Sequence, residues 1–319
     1  MSQNPDPAAT GTSDDVARFV DQSTGRATGT PEIESLSDLD RSAATLLRQR
    51  WTEIPSAERV RLTQAMVEDA EANVERNYAR AFLVALDDDE PQTRRAAIDG
   101  LWEYEGLDLL DRLLQGIETE HEPEVRATQA VALGRYAMLS ELGALDEPHT
   151  ARLKDVLLQV ADDDEESLDV RRRAIESLGY FSEDDEIDSL IEEAYDSGIH
   201  ESRVSAIHAM GRQGTTRWLD TCLENLADSE PEIRFEAVTA IGVIGEPRTV
   251  SAIIDRIADP DAEVRLAAIG ALGAIGGPMA VNTLRRLISE DDPAVVEAAE
   301  DALEEAQLVS SPLRPLIQG

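Results

Sequence analysis

A phrase of about ten residues recurs along this chain at nearly constant spacing. It reads valine or isoleucine, arginine, two variable positions, two mostly small or aliphatic residues, a variable position, a small residue, leucine or isoleucine, and glycine. The clearest copies are Val125–Gly134, Val170–Gly179, Ile233–Gly242 and Val264–Gly273. Looser copies begin at Val60, Thr93, Ser202 and Val295. Self-similarity at a fixed period indicates a protein built from stacked structural repeats.

The arginine of each copy measures the period. From Arg61 the next motif arginines follow at intervals of 33, 32, 45, 32, 31 and 31 residues, at Arg94, Arg126, Arg171, Arg203, Arg234 and Arg265. The excess in the 45-residue interval lies at 140–168, where acidic and turn-forming residues cluster. An insertion at a repeat junction maps to a loop on one face of the stack. We expect such a loop here, either a solvated extension or a functional one.

Each period contains two helical patterns separated by turns. In the copy around Arg234, Pro231 suits a first helical turn, and the break at 245–247 precedes a second apolar stripe. Neither helix can bury its stripe alone, so neighbouring repeats must complete the core. An aspartate before each turn recurs with the arginine after it, as in Asp228 with Arg234 and Asp259 with Arg265. We interpret these residues as a ladder of side-chain bonds that ties consecutive repeats together.

This motif resembles that of the HEAT-repeat family, in particular the short prokaryotic HEAT-like repeats named after phycobilisome lyases. The resemblance covers residues 55–306 and implies an all-α, right-handed α-solenoid of about eight helix pairs, with the motif helices lining the concave face. The corresponding organisation is a disordered acidic tail at 1–35, a capping helix at 36–54, the solenoid at 55–307 and a C-terminal tail at 308–319.

The N-terminal tail contains one segment with a second interpretation. Residues 1–30 are rich in Ser, Thr, Asp, Gly and Pro, a composition typical of disorder. Within them, Ser13–Gln22 places Val16, Phe19 and Val20 on one side of a short helix that could dock onto another surface. Disorder is the prediction, and the docked helix is the alternative.

Charge and composition restrict the partners. The formal net charge is −37, and Lys154 is the only lysine beside 28 arginines. Affinity for phosphate depends on clustered basic residues, so this balance opposes nucleic-acid binding. No apolar run reaches 18 residues, and the start of the chain lacks a signal-peptide pattern, so no membrane contact is expected. Cys222 is the single cysteine, which favours a reducing, cytoplasmic location.

Residues suited to catalysis or metal binding are few. The His-Glu dipeptides at His121 and His200 invite comparison with deoxyhypusine hydroxylase, a HEAT-like enzyme family that binds two irons through such pairs. In that family the pair lies inside the motif helix, whereas both dipeptides here lie in turns before it. Cys222 sits within an apolar stripe, as a small core residue would. We therefore predict no catalytic residues, no metal and no cofactor.

The variable positions of the motif helices supply a candidate binding surface. They place arginine and aromatic side chains, the residue types enriched at binding hot spots, on successive motif helices: Arg135, Arg172, Arg173, Tyr180, His208, Arg212, Phe235 and Glu236. The competing interpretation is a scatter of arginines balanced by Glu176 and Glu236. The predicted function is a non-enzymatic scaffold or adaptor that holds another protein in the concave groove. The alternative, suggested by the repeat family's name, is a lyase or chaperone-like protein acting on a tetrapyrrole-carrying protein.

Overall fold

A computed structural model describes residues 11–309 of the chain. Those residues form seventeen α-helices and four short 3₁₀ helices, and no β-strand occurs among them. The chain divides between Tyr136 and Ala137 into two compact units, called unit 1 and unit 2 below. The predicted all-α fold class is confirmed.

Unit 1 begins with two helices that precede the repeats. Its α-helices are α1 (Ser13–Ser23), α2 (Arg41–Arg50), α3 (Ser56–Ala72), α4 (Ala79–Ala85), α5 (Pro91–Gly100), α6 (Leu107–Thr119) and α7 (Pro123–Glu141), the last of which continues past the boundary. The predicted capping helix at 36–54 corresponds to α2, which starts later because Asp40 caps it by accepting a hydrogen bond from the Ala43 backbone N–H.

The disorder predicted for residues 1–35 is wrong for the segment that α1 occupies. Thr12 and Asp15 form a capping box at its start, and Val16, Phe19 and Val20 are fully or almost fully buried. The helix packs on α2, where Arg50 donates to the Asp21 carboxylate at 2.7 Å. The buried apolar side chains, the capping box and the bond from Arg50 together hold this segment as a helix. Residues 1–10 and 310–319 lie outside the described part of the chain.

Unit 2 continues the alternation of motif helices and second helices. Its helices after α7 are α8 (Glu147–Asp162), α9 (Leu168–Leu178), α10 (Asp185–Asp196), α11 (His200–Gln213), α12 (Leu219–Asn225), α13 (Pro231–Ile244), α14 (Val250–Arg256), α15 (Ala262–Ile275), α16 (Gly277–Leu287) and α17 (Pro293–Val309). The odd-numbered helices from α3 onward carry the motif copies. Residues 56–309 thus hold eight motif helices and seven second helices between them.

The motif glycine sets the distance between motif helices in unit 2. A Cβ on Gly179, Gly211, Gly242 or Gly273 would come within 2.8–3.0 Å of the Cα of the facing alanine on the next motif helix. Those alanines are Ala209, Ala240, Ala271 and Ala302. Glycine at these positions therefore permits close backbone packing, from α9 through α17.

The arginine ladder exists, but its carboxylate partners lie one repeat further on than expected. Arg234 donates to both carboxylate oxygens of Asp259, at 2.9 and 2.7 Å, and to the backbone carbonyl of Asp228 at 2.9 Å. Arg265 donates to the carbonyl oxygen of Asp259 instead of its carboxylate. Arg234 thus holds its own turn through the backbone and the next repeat through the Asp259 side chain.

In unit 1 the ladder residue of the first repeat is Arg59, and the prediction of Arg61 is wrong. Arg59 is buried and donates to the Asp88 carboxylate at 2.6 and 3.1 Å. Arg61 is exposed and pairs with Glu58 within its own helix. The side chains of Leu62 and Met66 are fully buried beside it, so the loose motif copy was aligned two residues out of register.

The extra residues at 140–168 lengthen helices as well as the connecting loops. Ser140 lies within α7, and α8 spans 16 residues where α12 and α14 span 7. Ser140 Oγ and Thr150 Oγ1 lie 2.8 Å apart and link the end of α7 to α8. The insertion is therefore largely ordered helix, and the loops expected there are confined to 142–146 and 163–167.

Candidate interaction surface

Seven of the eight predicted site residues lie in unit 2, on or directly after three motif helices that pack side by side. Helix α11 packs against α9 and α13. We call this set the strip: Arg172 and Arg173 on α9, Tyr180 just after it, His208 and Arg212 on α11, and Phe235 and Glu236 on α13. All seven are partly exposed, so each is open to solvent on one side.

The strip contains a cation–aromatic stack between neighbouring repeats. The Arg212 guanidinium lies over the Tyr180 ring, 4.5 Å from its centroid, and donates to the Glu176 carbonyl at 3.2 Å. A guanidinium held over an aromatic face gains electrostatic attraction and keeps a fixed orientation. The stack therefore presents a flat, ordered surface with one edge in solvent.

Two of the strip's three arginines are paired with carboxylates. Arg172 donates to Asp169 at 2.8 Å, and Arg173 donates to Glu176 at 2.8 Å. Glu176 is 12% exposed and also accepts from Ser205 Oγ at 2.6 Å. The strip is consequently not a free basic patch, and its charge is balanced by the neighbouring acids. What distinguishes it is ordered, planar side chains instead of net positive charge.

A histidine–carboxylate pair continues the strip onto α13. His208 Nδ1 lies 3.0 Å from Glu236 Oε2, and the Glu236 side chain is only 15% exposed. His208 Nε2 is buried without a protein partner. Phe235, beside Glu236, is half-buried. Val243 is exposed and lies about two turns after Phe235 on α13. Phe235 and Val243 add apolar area to a polar surface.

Arg135, the eighth predicted residue, lies in unit 1 and has a different set of contacts. Its guanidinium donates to the carbonyl oxygens of Leu101 and Tyr104, at 3.0 and 2.7 Å. It thereby holds the turn between α5 and α6, next to which the Tyr136 hydroxyl donates to Gly106 at 3.0 Å. These bonds indicate that Arg135 stabilises the α5–α6 turn of unit 1.

Sequence reasoning missed the most exposed aromatic residue of unit 1. Trp102 is 62% exposed. It stands eight residues after Arg94, where the clear motif copies have glycine. That departure from the motif was visible in the sequence and marks a residue that does not serve close helix packing.

The side chains that could take part in chemistry are buried or held in hydrogen bonds. Cys222 is fully buried, as predicted, and burial raises the pKa of its thiol to about 12, so the thiol stays protonated at neutral pH. His200 lies 2.8 Å from Glu232, and this hydrogen bond raises its pKa. Among residues 11–309, no three His, Cys, Asp or Glu side chains converge as metal ligands would. Across that same range, no helix combines the length and apolarity that crossing a bilayer requires.

The family model described as HEAT repeats matches residues 197–263 and 219–304. These matches lie in unit 2 and cover helices α11 to α16 and most of α17. The resemblance to HEAT repeats is confirmed there, and this part of the chain is an array of HEAT repeats. No curated protein matches the sequence.

Solved structures of several helical-repeat proteins are similar to this chain. Yeast importin-beta aligns with a TM-score of 0.54 at 11% identity, over 95% of this chain and 47% of its own. The chain thus spans about half the length of that protein. An engineered protein gives a TM-score of 0.43 at 16% identity, over 92% of this chain and 88% of its own. Human deoxyhypusine hydroxylase gives 0.36 at 16% identity, over 92% and 96%. At these identities the similarity concerns the fold alone.

Proposed function

We propose that this protein is a non-enzymatic interaction scaffold that binds another protein through the motif-helix face of unit 2. The observation that carries the proposal is the strip, above all the stack of Arg212 on Tyr180, which is ordered by intramolecular bonds and open to solvent. Side chains that are already fixed lose little conformational entropy on binding, which favours their use as anchors. HEAT repeats and the importin-beta-like fold are typical of scaffolds of this kind.

The charges on the strip largely offset one another, and this limits the kind of partner that we expect. Arg172 and Arg173 pair with Asp169 and Glu176, and Glu236 lies beside His208, so net charge does not select the partner there. A protein surface that offers apolar side chains and hydrogen-bond acceptors fits the strip. The net charge of −37 opposes nucleic acid. The cytoplasmic location and the absence of a cofactor stay predictions.

The test starts from a partner captured from the native organism and identified by mass spectrometry. Replacing Tyr180 and Arg212 together by alanine removes the stack without adding charge. We expect affinity for the captured partner to fall tenfold or more, which corresponds to about 1.4 kcal/mol. The fold should persist, because neither side chain is fully buried.

The matched control replaces two exposed arginines of the same unit, Arg248→Ala with Arg285→Ala. Arg248 approaches Asp220 only to 3.9 Å, so its loss should disturb little. Arg217 and Arg256 would be poor controls, since Arg217 pairs with the buried Asp188 and Arg256 donates to the Leu226 carbonyl. Equal losses from both pairs of substitutions would show that the strip is not the binding surface.

A further inference from the structure

One buried residue of unit 1 departs from the repeat motif in a way that packing does not explain. Three residues after the motif arginine, the copies at Arg94, Arg171, Arg203, Arg234 and Arg265 have alanine. All five alanines are fully buried. In the copy at Arg126 this position holds Gln129, which is 7% exposed. A long amide side chain has therefore replaced a methyl group in the interior of the stack.

The opposite helix is adapted to this glutamine. Gly116 on α6 faces it, and a Cβ at Gly116 would overlap Gln129 Nε2. Glycine inside a helix lowers its stability relative to alanine. The pair Gln129 and Gly116 thus carries two local costs, a buried amide and a helical glycine. Violations of local rules that compensate each other are typical of functional sites.

The amide borders a pocket instead of solid core. The pocket has a volume of about 420 Å³ and is lined by residues of α5, α6, α7 and the α4–α5 turn. Gln129 Oε1 is buried there without a protein hydrogen-bond partner. A buried acceptor of this kind loses its hydration without compensation unless something donates to it.

The charged residues that line the pocket decide which kind of donor could bind beside Gln129. The charged residues around the pocket comprise three carboxylates and two guanidinium groups: Asp87, Asp88, Glu120, Arg94 and Arg112. The guanidinium groups already serve protein acceptors. Arg94 donates to Glu120 at 2.7 and 2.8 Å and to the Asp88 carbonyl. Arg112 donates to the Leu83 carbonyl at 2.7 Å and to the Asp87 carboxylate. The donors are committed, whereas carboxylate oxygens can accept further bonds.

We propose that this pocket binds an ammonium or guanidinium group, whose N–H donors bond Gln129 Oε1 and the carboxylates of Asp87 and Glu120. The lining guanidinium groups are already bonded to protein acceptors, whereas Gln129 Oε1 and the carboxylates of Asp87 and Glu120 can still accept hydrogen bonds, which favours a cation over an anion. The volume suits a small organic cation or one side chain of a bound peptide. The site lies within unit 1 and is separate from the strip, so the proposal does not depend on the strip being an interface.

The experiment is calorimetric titration of the full chain with agmatine, which carries a guanidinium at one end and an ammonium at the other. We expect saturable binding to the wild type and an affinity at least tenfold lower for Gln129→Ala. That substitution restores the alanine of the motif, so it should not impair folding. Gly116→Ala is a second variant that keeps Gln129 but displaces its amide, and it should also weaken binding. Thermal unfolding of each variant checks the fold.

The matched control is Gln64→Ala, the same change on the exposed face of α3 in the same unit. Its affinity for agmatine should match that of the wild type. Comparable losses from Gln64→Ala and Gln129→Ala would overturn the proposal, because only bulk acidity would then attract the cation. No saturable binding to the wild type would overturn it as well, as would acetate binding that depends on Gln129.

A third titration distinguishes the source of the cation. An end-blocked Gly-Arg-Gly peptide presents the same guanidinium on a backbone. If the peptide binds as tightly as agmatine and depends on Gln129, the site takes a side chain of a partner protein. If only agmatine binds with that dependence, the site takes a free small cation. Both outcomes support the pocket as a cation site.

Discussion

Units 1 and 2 share the arginine ladder but differ in how their helices are spaced. In unit 2 the motif glycines pack against alanines at every step from α9 to α17. In unit 1, Trp102 occupies the glycine position of the copy at Arg94, and Gly100 lies against the ring of Phe82. Both units nevertheless use a buried arginine that reaches a carboxylate of the next repeat, Arg59 with Asp88 and Arg234 with Asp259. The difference shows that close backbone packing is one way to stack these helices, while the ladder is common to both units.

The largest expected effect tests whether the ladder matters equally in both units. Asp88→Ala should lower the free energy of unfolding by about 3–5 kcal/mol, because it removes the buried counter-charge of Arg59 and leaves only the exposed Asp89. Asp88 also accepts a hydrogen bond from Trp51 Nε1 at 2.5 Å. Its loss therefore leaves both Arg59 and Trp51 without this acceptor. Asp259→Ala should cost less, because within residues 11–309 Asp259 accepts no bond like that from Trp51, and Arg234 keeps two carbonyls where Arg59 keeps only that of Ile54.

Urea unfolding followed by tryptophan fluorescence measures both variants, because Trp51 reports on unit 1 and Trp218 on unit 2. Asp89→Ala is the comparison for Asp88→Ala: Asp89 also pairs with Arg59, but its side chain is 82% exposed, so its loss should cost far less. If Asp259→Ala cost more than Asp88→Ala, the added hydrogen bond from Trp51 would have no weight in unit 1.

Lowering the pH protonates the same two carboxylates, which is a milder change than replacing them by alanine. The Arg234 hydrogen bonds hold the pKa of Asp259 below its ordinary value. At Asp88, burial raises the pKa, but the bonds from Arg59, the Glu90 backbone and Trp51 outweigh it, and the pKa is lowered. Carboxylates with lowered pKa stabilise the folded state above their unfolded pKa of about 4. That stability is lost as the pH falls through the folded values.

We therefore expect the free energy of unfolding to fall steeply below about pH 4. In the double variant Asp88→Asn with Asp259→Asn this fall should be shallower. Urea titrations at a series of pH values measure both slopes. Identical slopes for the two proteins would assign acid sensitivity to other carboxylates of this acidic chain.

A substitution at the motif glycine tests the spacing rule of unit 2. A Cβ on Gly242 would come 3.0 Å from Ala271 Cα, so α13 and α15 would have to separate. Gly242→Ala should cost about 1–3 kcal/mol, as overpacked cores do. Gly270→Ala is the control, because nothing lies within 4 Å of a Cβ there. It should stabilise the protein by about 0.5–1 kcal/mol through helix propensity. Thermal unfolding distinguishes the signs, and a neutral Gly242→Ala would contradict the spacing rule.

The smallest effect concerns the register of the first repeat in unit 1. Arg61→Ala should change the free energy of unfolding by less than about 0.5 kcal/mol, because its pair with Glu58 is exposed. Arg59→Ala should cost much more, since Asp88 would lose its buried counter-charge. Chemical denaturation of the two variants compares them directly. A large loss at Arg61 would restore the register predicted from the sequence.

Much of the fold could be predicted because the repeat is periodic. The spacing of the motif copies located eight motif helices, and the motif glycines and core residues such as Cys222 were correctly identified. The partial exposure of the strip residues also followed from their variable positions in the motif helix, while their role in binding stays a prediction. The errors fall where the pattern is loose, at Arg61 and at α1. In those places tertiary neighbours, not local spacing, decide which residues are buried.

The sequence by itself determined that this protein is an all-helical repeat array, since a period of 31–33 residues with two apolar stripes has no other way to bury its surface. It also determined which side chains of the motif helices lie outside their apolar stripes. Only the tertiary structure decided the partners of those residues. It showed that the carboxylate of Asp259 pairs with the preceding repeat's arginine, that Arg172 and Arg173 of the strip are paired with acids, and that Gln129 borders a pocket. The physical reason is that spacing along one helix fixes which side a residue faces, whereas a hydrogen bond between repeats depends on distances that arise only when the helices are stacked.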